Sequence, residues 1–207
     1  QRKIVKPEFM LPEPLEIGRE RLWVDVTEEV EKKDKAFLSG WNPYGAVFGK
    51  VFHSFLYKVS TGGLRLKIEE IKDFLKKSFK KEVPDLERVE ELVSLAMNQW
   101  EILIKNNLVD SVILGNGYDQ ARSELPFYLK EDGILWKGRI DRVLLSIYRA
   151  EVYDYKTFPV DDEKIDEIKE HYRPQLEIYK RAVKSLFPEK EVKSFILLTA
   201  EGKTIEI

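Results

Sequence analysis

Val152-Tyr153-Asp154-Tyr155-Lys156-Thr157 is a run of β-branched and aromatic residues with one acid and one base set into it, two positions apart. That composition favours a strand, and residues two apart on a strand project from the same face, so Asp154 and Lys156 point together. Asp141 stands thirteen positions before Asp154, inside a second run of the same character, Ile134 to Leu145. A hairpin turning near residues 147 and 148 sets Asp141 opposite Asp154, with about 5 Å between cross-strand neighbours. Two carboxylates that close repel unless a cation lies between them, and Val143, Leu145 and Ile147 continue an apolar face beside Asp141. Carboxylate and carbonyl oxygens suit Mg²⁺ or Mn²⁺, which activate water and neutralise charge developing on a phosphate. The Lys156 ammonium then orients the attacking water and steadies that charge. The set makes sense as a phosphodiesterase.

Working outward, Phe127 to Leu129 joins Ile134 to Leu145 through a turn at Asp132-Gly133, and these runs read as antiparallel strands with Val152 to Thr157. Asp161 to Glu170 is polar with helical spacing. Arg173-Pro174 then restarts a helix carrying Leu176, Tyr179, Ala182, Val183 and Leu186. Ser194 to Thr199 and Lys203 to Ile207 form a last strand pair turning at Gly202. Upstream the period lengthens. Asn42-Pro43 starts a helix over 43 to 59 with Tyr44, Val47, Phe48, Val51, Phe55 and Val59 on one stripe. Leu64, Ile68, Ile71, Leu75 and Phe79 form a second stripe over 64 to 81, and Leu86, Val89, Val93, Ala96, Trp100 and Leu103 a third. The expected fold is α/β, a central mixed sheet flanked by helices with a mainly helical N-terminal half. The helical part is expected over 40–108 and the catalytic sheet with its helices over 122–207, within a domain spanning 21–207.

Residues 1 to 20 carry Pro7, Pro12 and Pro14 without apolar periodicity and read as a linker from a preceding domain. A chain opening at Gln1, with its first methionine at Met10, is expected to be a piece of a longer protein. An apolar content of 43% argues for a folded core, yet no apolar run approaches the roughly 18 residues of a membrane span. The absence of cysteine removes disulfides, thiolate zinc sites, cysteine nucleophiles and iron–sulfur ligation, and makes a cytoplasmic location the expectation. A formal charge of −2 denies the chain a global basic excess, so contact with DNA must be local or assisted.

Gly138-Arg139-Ile140-Asp141, then Asp154-Tyr155-Lys156-Thr157, then Gln175 and Tyr179 as Q-x-x-x-Y, resemble the RecB-like branch of the PD-(D/E)xK nuclease superfamily. Gly49 to His53 resembles that family's G-x-x-x-H element, and Glu124-Leu125-Pro126-Phe127 the strand entering its core sheet, in matching order. The resemblance covers roughly residues 45 to 180 and implies a restriction-endonuclease-like core. It implies that Asp141, Asp154 and the Tyr155 backbone carbonyl ligate Mg²⁺ or Mn²⁺, with His53 as a further ligand and Lys156 as the catalytic lysine. Gln175 and Tyr179 would border the site and help hold the DNA strand, with Glu124 a weaker candidate. The family is known as the C-terminal nuclease domain of RecB- and AddA-type helicase-nucleases. The implied activity is therefore exonuclease action on single strands or ends, in DNA end processing and recombinational repair, served by a helicase motor in the same or a partner chain. Two departures stand out: the loop at Ser146 to Ala150 lacks a glycine, and the missing cysteines exclude the iron–sulfur subgroup.

Taken singly, these residues have ordinary readings. Asp154 with Lys156 makes a surface ion pair, Asp141 pairs with Arg139 on its own strand face, and His53 is a core residue. Lys76 to Lys81 form a solvated helix face or touch phosphate. A catalytically inactive, nuclease-like DNA-binding or scaffolding module and a hydrolase of small phosphate esters are the rival functions.

Overall fold

The computed structural model describes residues 23–26 and 43–207; the linker expected over residues 1 to 20 lies outside them. Helices α1 (Gly45–Ser60), α2 (Ile68–Glu82) and α3 (Leu86–Lys105) occupy the first half, followed by a π-helical turn, Val109–Leu114. Each helix buries one stripe: Phe48, Val51, Phe52, Phe55 and Val59 from α1, Ile71, Leu75 and Phe79 from α2, and Val89, Val93, Ala96, Trp100 and Leu103 from α3. Asp85 caps α3, its Oδ1 accepting from the backbone N–H of Glu87 at 2.9 Å. Two details differ from expectation. Pro43 and Tyr44 form a turn before α1 rather than its first residues, and Ile68 opens α2 on its exposed side.

Six strands make one mixed sheet: β1 (Trp23–Asp25), β2 (Gln120–Glu131), β3 (Ile134–Leu145), β4 (Arg149–Lys156), β5 (Glu191–Leu198) and β6 (Lys203–Glu206). A 3-10 turn, Asp162–Lys164, and helix α4 (Ile165–Leu186) connect β4 to β5, which run parallel. β5 returns antiparallel as β6 through Gly202 at φ +62°. Strand β3 is the hub. One of its edges pairs with β2 along its whole length, from Gln120↔Leu145 to Glu131↔Ile134. Its other edge is shared: β1 takes Leu135 to Lys137 in parallel, and β4 takes Arg142 to Leu145 antiparallel. Residues 138–141 lie between them, unpaired on that edge among the described residues. Among the described residues the sheet is therefore open at this edge of β3, where Asp141 stands.

Alternation along the strands divides the core in two. Leu144, Tyr153, Tyr155 and Leu197 join the cluster built by α1, α2, α3 and the π-helical turn. Val143, Leu145, Val152, Ile196 and Leu198 face α4 with Ile168, Tyr172, Leu176, Tyr179 and Val183. Helix α4 corrects the expected break at Pro174, since it runs unbroken through that residue. Proline removes one N–H and strains the turn before it, but Ile168 and Tyr172 bury their side chains on the sheet one turn earlier and hold that turn helical. Strand β2 is far longer than Phe127 to Leu129, because its pairing with β3, rather than its own polar sequence, makes it a strand. No helix among the described residues is long and apolar enough to cross a membrane.

Candidate active site

The β3–β4 ladder ends at Arg142↔Tyr153, and the same register continued one step places Asp141 opposite Asp154. In place of a backbone rung, Asp141 Oδ2 accepts the N–H of Tyr155 at 2.7 Å, so a carboxylate stands where the strands part. Its other oxygen, Oδ1, lies 3.4 Å from Nδ1 of His53, which α1 delivers from the helical face. His53 Nε2 lies 3.1 Å from the Tyr155 carbonyl oxygen. Both neighbours are acceptors, so both ring nitrogens donate only when the ring is charged. Burial lowers the His53 pKa, but the Asp141 carboxylate outweighs it and the net shift is upward. Burial likewise raises the Asp141 carboxyl, yet His53, the Tyr155 N–H and Lys156 together hold it below its usual value. The pocket favours positive charge.

Asp154 and Lys156 share a face of β4, as their spacing requires, and both are carried into the interior. Asp154 is buried, with Oδ2 3.0 Å from Lys156 Nζ but outside hydrogen-bonding geometry. The pair is thus held by charge more than by direction. Burial pushes the Asp154 carboxyl up to about 6 against the pull of Lys156, and Asp141 adds to the rise. A surface ion pair does not describe these residues. Only 12% of the Lys156 side chain is exposed, and its Nζ lies 3.9 Å from the centroid of the Tyr172 ring on α4.

Glu124 enters from β2, between the pairs Ser123↔Arg142 and Leu125↔Ile140, with the left-handed φ of +54°. That conformation is costly for a residue with a Cβ, and its neighbours hold it there. Ser123 Oγ accepts from Arg142 Nη1 and lies 2.7 Å from Ser60 Oγ at the end of α1. Burial and the nearby Asp141 raise the Glu124 carboxyl, against Arg139 and His53. Arg139 Nε lies 2.5 Å from Glu124, so Arg139 pairs across strands with Glu124 and not with Asp141. One ligand atom each from His53, Glu124 and Asp141 lies within 4.8 Å of the others.

Gln175 and Tyr179 are both buried, one helical turn apart on α4. Gln175 Nε2 donates to the Tyr179 hydroxyl at 2.9 Å, which in turn donates to the Arg139 carbonyl at 3.2 Å. In this arrangement their polar contacts brace the backbone of β3 two residues before Asp141. Gln175 Oε1 is buried without a hydrogen bond. Two further residues were not singled out by sequence. Gln99, buried on α3, donates from Nε2 to the Thr157 carbonyl at 2.8 Å and accepts from Thr199 Oγ1 at 2.7 Å, tying the end of β4 to the helical half. Its signal was a polar residue within the stripe of Ala96, Trp100 and Leu103. Tyr172 lies three residues before Gln175 and so on the same helical face.

The model of the PD-(D/E)XK nuclease superfamily matches residues 33–205, nearly the whole chain. The chain belongs to that superfamily. Two curated relatives, both ATP-dependent helicase/nuclease subunits by name, come from Thermoanaerobacter sp. (strain X514) and Thermoanaerobacter pseudethanolicus (strain ATCC 33223 / 39E). Each is 25% identical over 156 residues, covering 68% of this chain and 12% of the relative. The chain thus spans a small fraction of their length. A solved structure described as the crystal structure of SSO0001 is 16% identical, covers 93% of this chain and 69% of its own, and has a TM-score of 0.35, which adds nothing to the assignment. Nucleases of this superfamily typically use divalent metals, and the residues present fit one. Two carboxylates, an imidazole and a carbonyl oxygen converge at the sheet opening, and the Asp141 carboxylate there favours positive charge, as the raised His53 pKa reflects.

Proposed function

We propose that this domain is a Mg²⁺- or Mn²⁺-dependent deoxyribonuclease, an exonuclease acting on single strands or ends. The observation that carries the reading is the placement of Asp141, Asp154 and Lys156 at the opening between β1 and β4, with His53 and Glu124 closing it from two other elements. Asp141, His53, Glu124 and the Tyr155 carbonyl would hold the ion, with Asp154 beside them. When bound, such a cation would polarise the scissile phosphate and supply a nucleophilic water at neutral pH. Asp154 anchors the Lys156 ammonium by charge, and Lys156 donates its protons toward the attacking water and the phosphate oxygens. Asp141 holds the Tyr155 backbone in place through the N–H it accepts, which aims the Tyr155 carbonyl at His53. Gln175 and Tyr179 act on the same site from behind by fixing β3 at Arg139.

The near-neutral charge leaves little long-range attraction for DNA, so a helicase motor, in the same or a partner chain, would deliver the strand. The shared name of the two relatives, helicase/nuclease subunit, supports a helicase setting, and the RecB-like motifs extend the proposal to DNA end processing and recombinational repair. The reading is tested by degradation of a DNA oligonucleotide with Mn²⁺. Hydrolysis should vanish in Asp154→Ala and in Lys156→Ala, and activity surviving in either would refute the mechanism. Calorimetry on His53→Ala should show Mn²⁺ affinity reduced about 10 to 100-fold with folding intact.

A further inference from the structure

Lys156 is an ammonium that β4 carries into the core, and two described groups lie against it. Asp154 Oδ2 lies on one side at 3.0 Å, and the ring of Tyr172 lies on another with its centroid 3.9 Å from Nζ. Tyr172 is fully buried in the cluster between α4 and the sheet, and the His171 ring stands edge-on to it at 4.7 Å. The ring is therefore fixed by packing, while a lysine on its four-carbon stem is not. The Asp154 contact is one of charge, since its Oδ2 falls outside hydrogen-bonding geometry to Nζ. An aromatic face attracts a cation to a definite place above the ring, most strongly where water is excluded.

We propose that Tyr172 is a positioning residue, whose ring face fixes the Lys156 ammonium against Asp154 in the geometry the hydrolytic step uses. The inference rests on the nuclease reading for its consequence, but the contact itself does not need that reading. Tyr172 is set on the face of α4 that also carries Gln175 and Tyr179, so one helical face steadies the site twice. Its ring places Lys156 of β4, and the two polar side chains place the backbone of β3.

Tyr172→Phe keeps the ring, whereas Tyr172→Leu and Tyr172→Met fill the space without a charged-group attraction. In the metal-free chain, the Lys156 Cε protons should be shifted upfield by the ring in the wild type and in Tyr172→Phe. They should return to the ordinary lysine range in Tyr172→Leu. With Mn²⁺ and a single-stranded oligonucleotide, kcat should fall about tenfold in Tyr172→Leu and Tyr172→Met with KM unchanged, and Tyr172→Phe should recover most of it. Equal kcat in the leucine and phenylalanine variants, beside an inactive Lys156→Met, overturns the positioning role alone. A kcat loss that vanishes once rates are normalised to folded protein also overturns it. Activity surviving in Lys156→Met removes the nuclease reading and its consequence here, while the proton shifts still report whether the ring holds the ammonium.

Discussion

On the helical face of the sheet, Phe48 stacks on Phe52 at 5.5 Å, Phe55 meets Trp100 edge-on at 5.0 Å, and the cluster is built from apolar side chains. At the open middle of the sheet, Asp141, Asp154 and Lys156 are packed together largely out of solvent, with the His53 ring beside Asp141. The first arrangement gains from every apolar surface it covers. The second spends part of that gain on desolvating charges. The difference teaches where stability and chemistry are kept: substitutions in the aromatic cluster should cost stability, and neutralising Asp154, the carboxyl that burial disfavours, should restore some, whereas Asp141 is favoured in its charged form by His53, the Tyr155 N–H and Lys156.

The aromatic cluster breaks most readily at Phe55, which is fully buried and touches Phe52 and Trp100. Phe55→Ala should lose about 3–5 kcal/mol in chemical denaturation. A loss under about 1 kcal/mol would mean the cluster is far looser than its packing.

Gln99 joins the two regions, and Gln99→Ala strands the Thr157 carbonyl in the interior and leaves the Thr199 hydroxyl only its longer contact with the Lys156 carbonyl at 3.2 Å. About 2–3 kcal/mol of stability should go, together with Mn²⁺ affinity, since the end of β4 is no longer tied. Retained affinity in a destabilised variant would reduce Gln99 to a packing residue.

Asp154→Asn should act in the opposite direction. Its carboxyl rises from 3.8 to about 6 on folding, mainly through burial, so the folded state binds a proton more tightly than the unfolded one. The penalty is absent below pH 4, develops between pH 4 and 6, and is full above. Without metal, the asparagine variant should match the wild type at pH 4 and exceed it by about 3 kcal/mol at pH 8, while losing hydrolysis. A difference that does not change with pH would show that the carboxyl is not forced to ionise in the interior.

The same division governs what the sequence reveals. The stripes of α1 to α3 follow from local spacing because each helix buries one face, and Ile134 to Leu145 was legible as a strand for the same kind of reason. β1 was not, since three residues carry no period and its strand character comes from β3. The π-helical turn at Val109–Leu114 has no spacing signature of its own. The Asp141–Asp154 register followed from the hairpin turn near 147 and 148. Glu124 opposite Asp141 follows from the hairpin at Asp132-Gly133 once β2 is extended beyond Phe127 to Leu129, but Gln99 on the end of β4 and Tyr172 on Lys156 are contacts between different elements, which spacing within one element cannot show. The unbroken strand pattern of Ile134 to Leu145 also hid the opening, because a strand with two partners on one edge reads like a strand with one.

The finest test uses the two ends of α3. Asp85 caps its first turn through the N–H groups of Glu87 and Arg88, in solvent, whereas Gln99 lies fourteen residues along, about 21 Å, against β4. Losing a cap of this kind costs about 1 kcal/mol by freeing one turn. Asp85→Ala should therefore lower stability by that amount and leave Mn²⁺ affinity at the wild-type value, since the turns that reach Gln99 stay pinned by Trp100 and Leu103 in the aromatic cluster. Calorimetry and denaturation on the same preparation separate the two. If affinity falls in Asp85→Ala as it does in Gln99→Ala, α3 transmits fraying along its whole length and the helical half is part of the site rather than a frame around it.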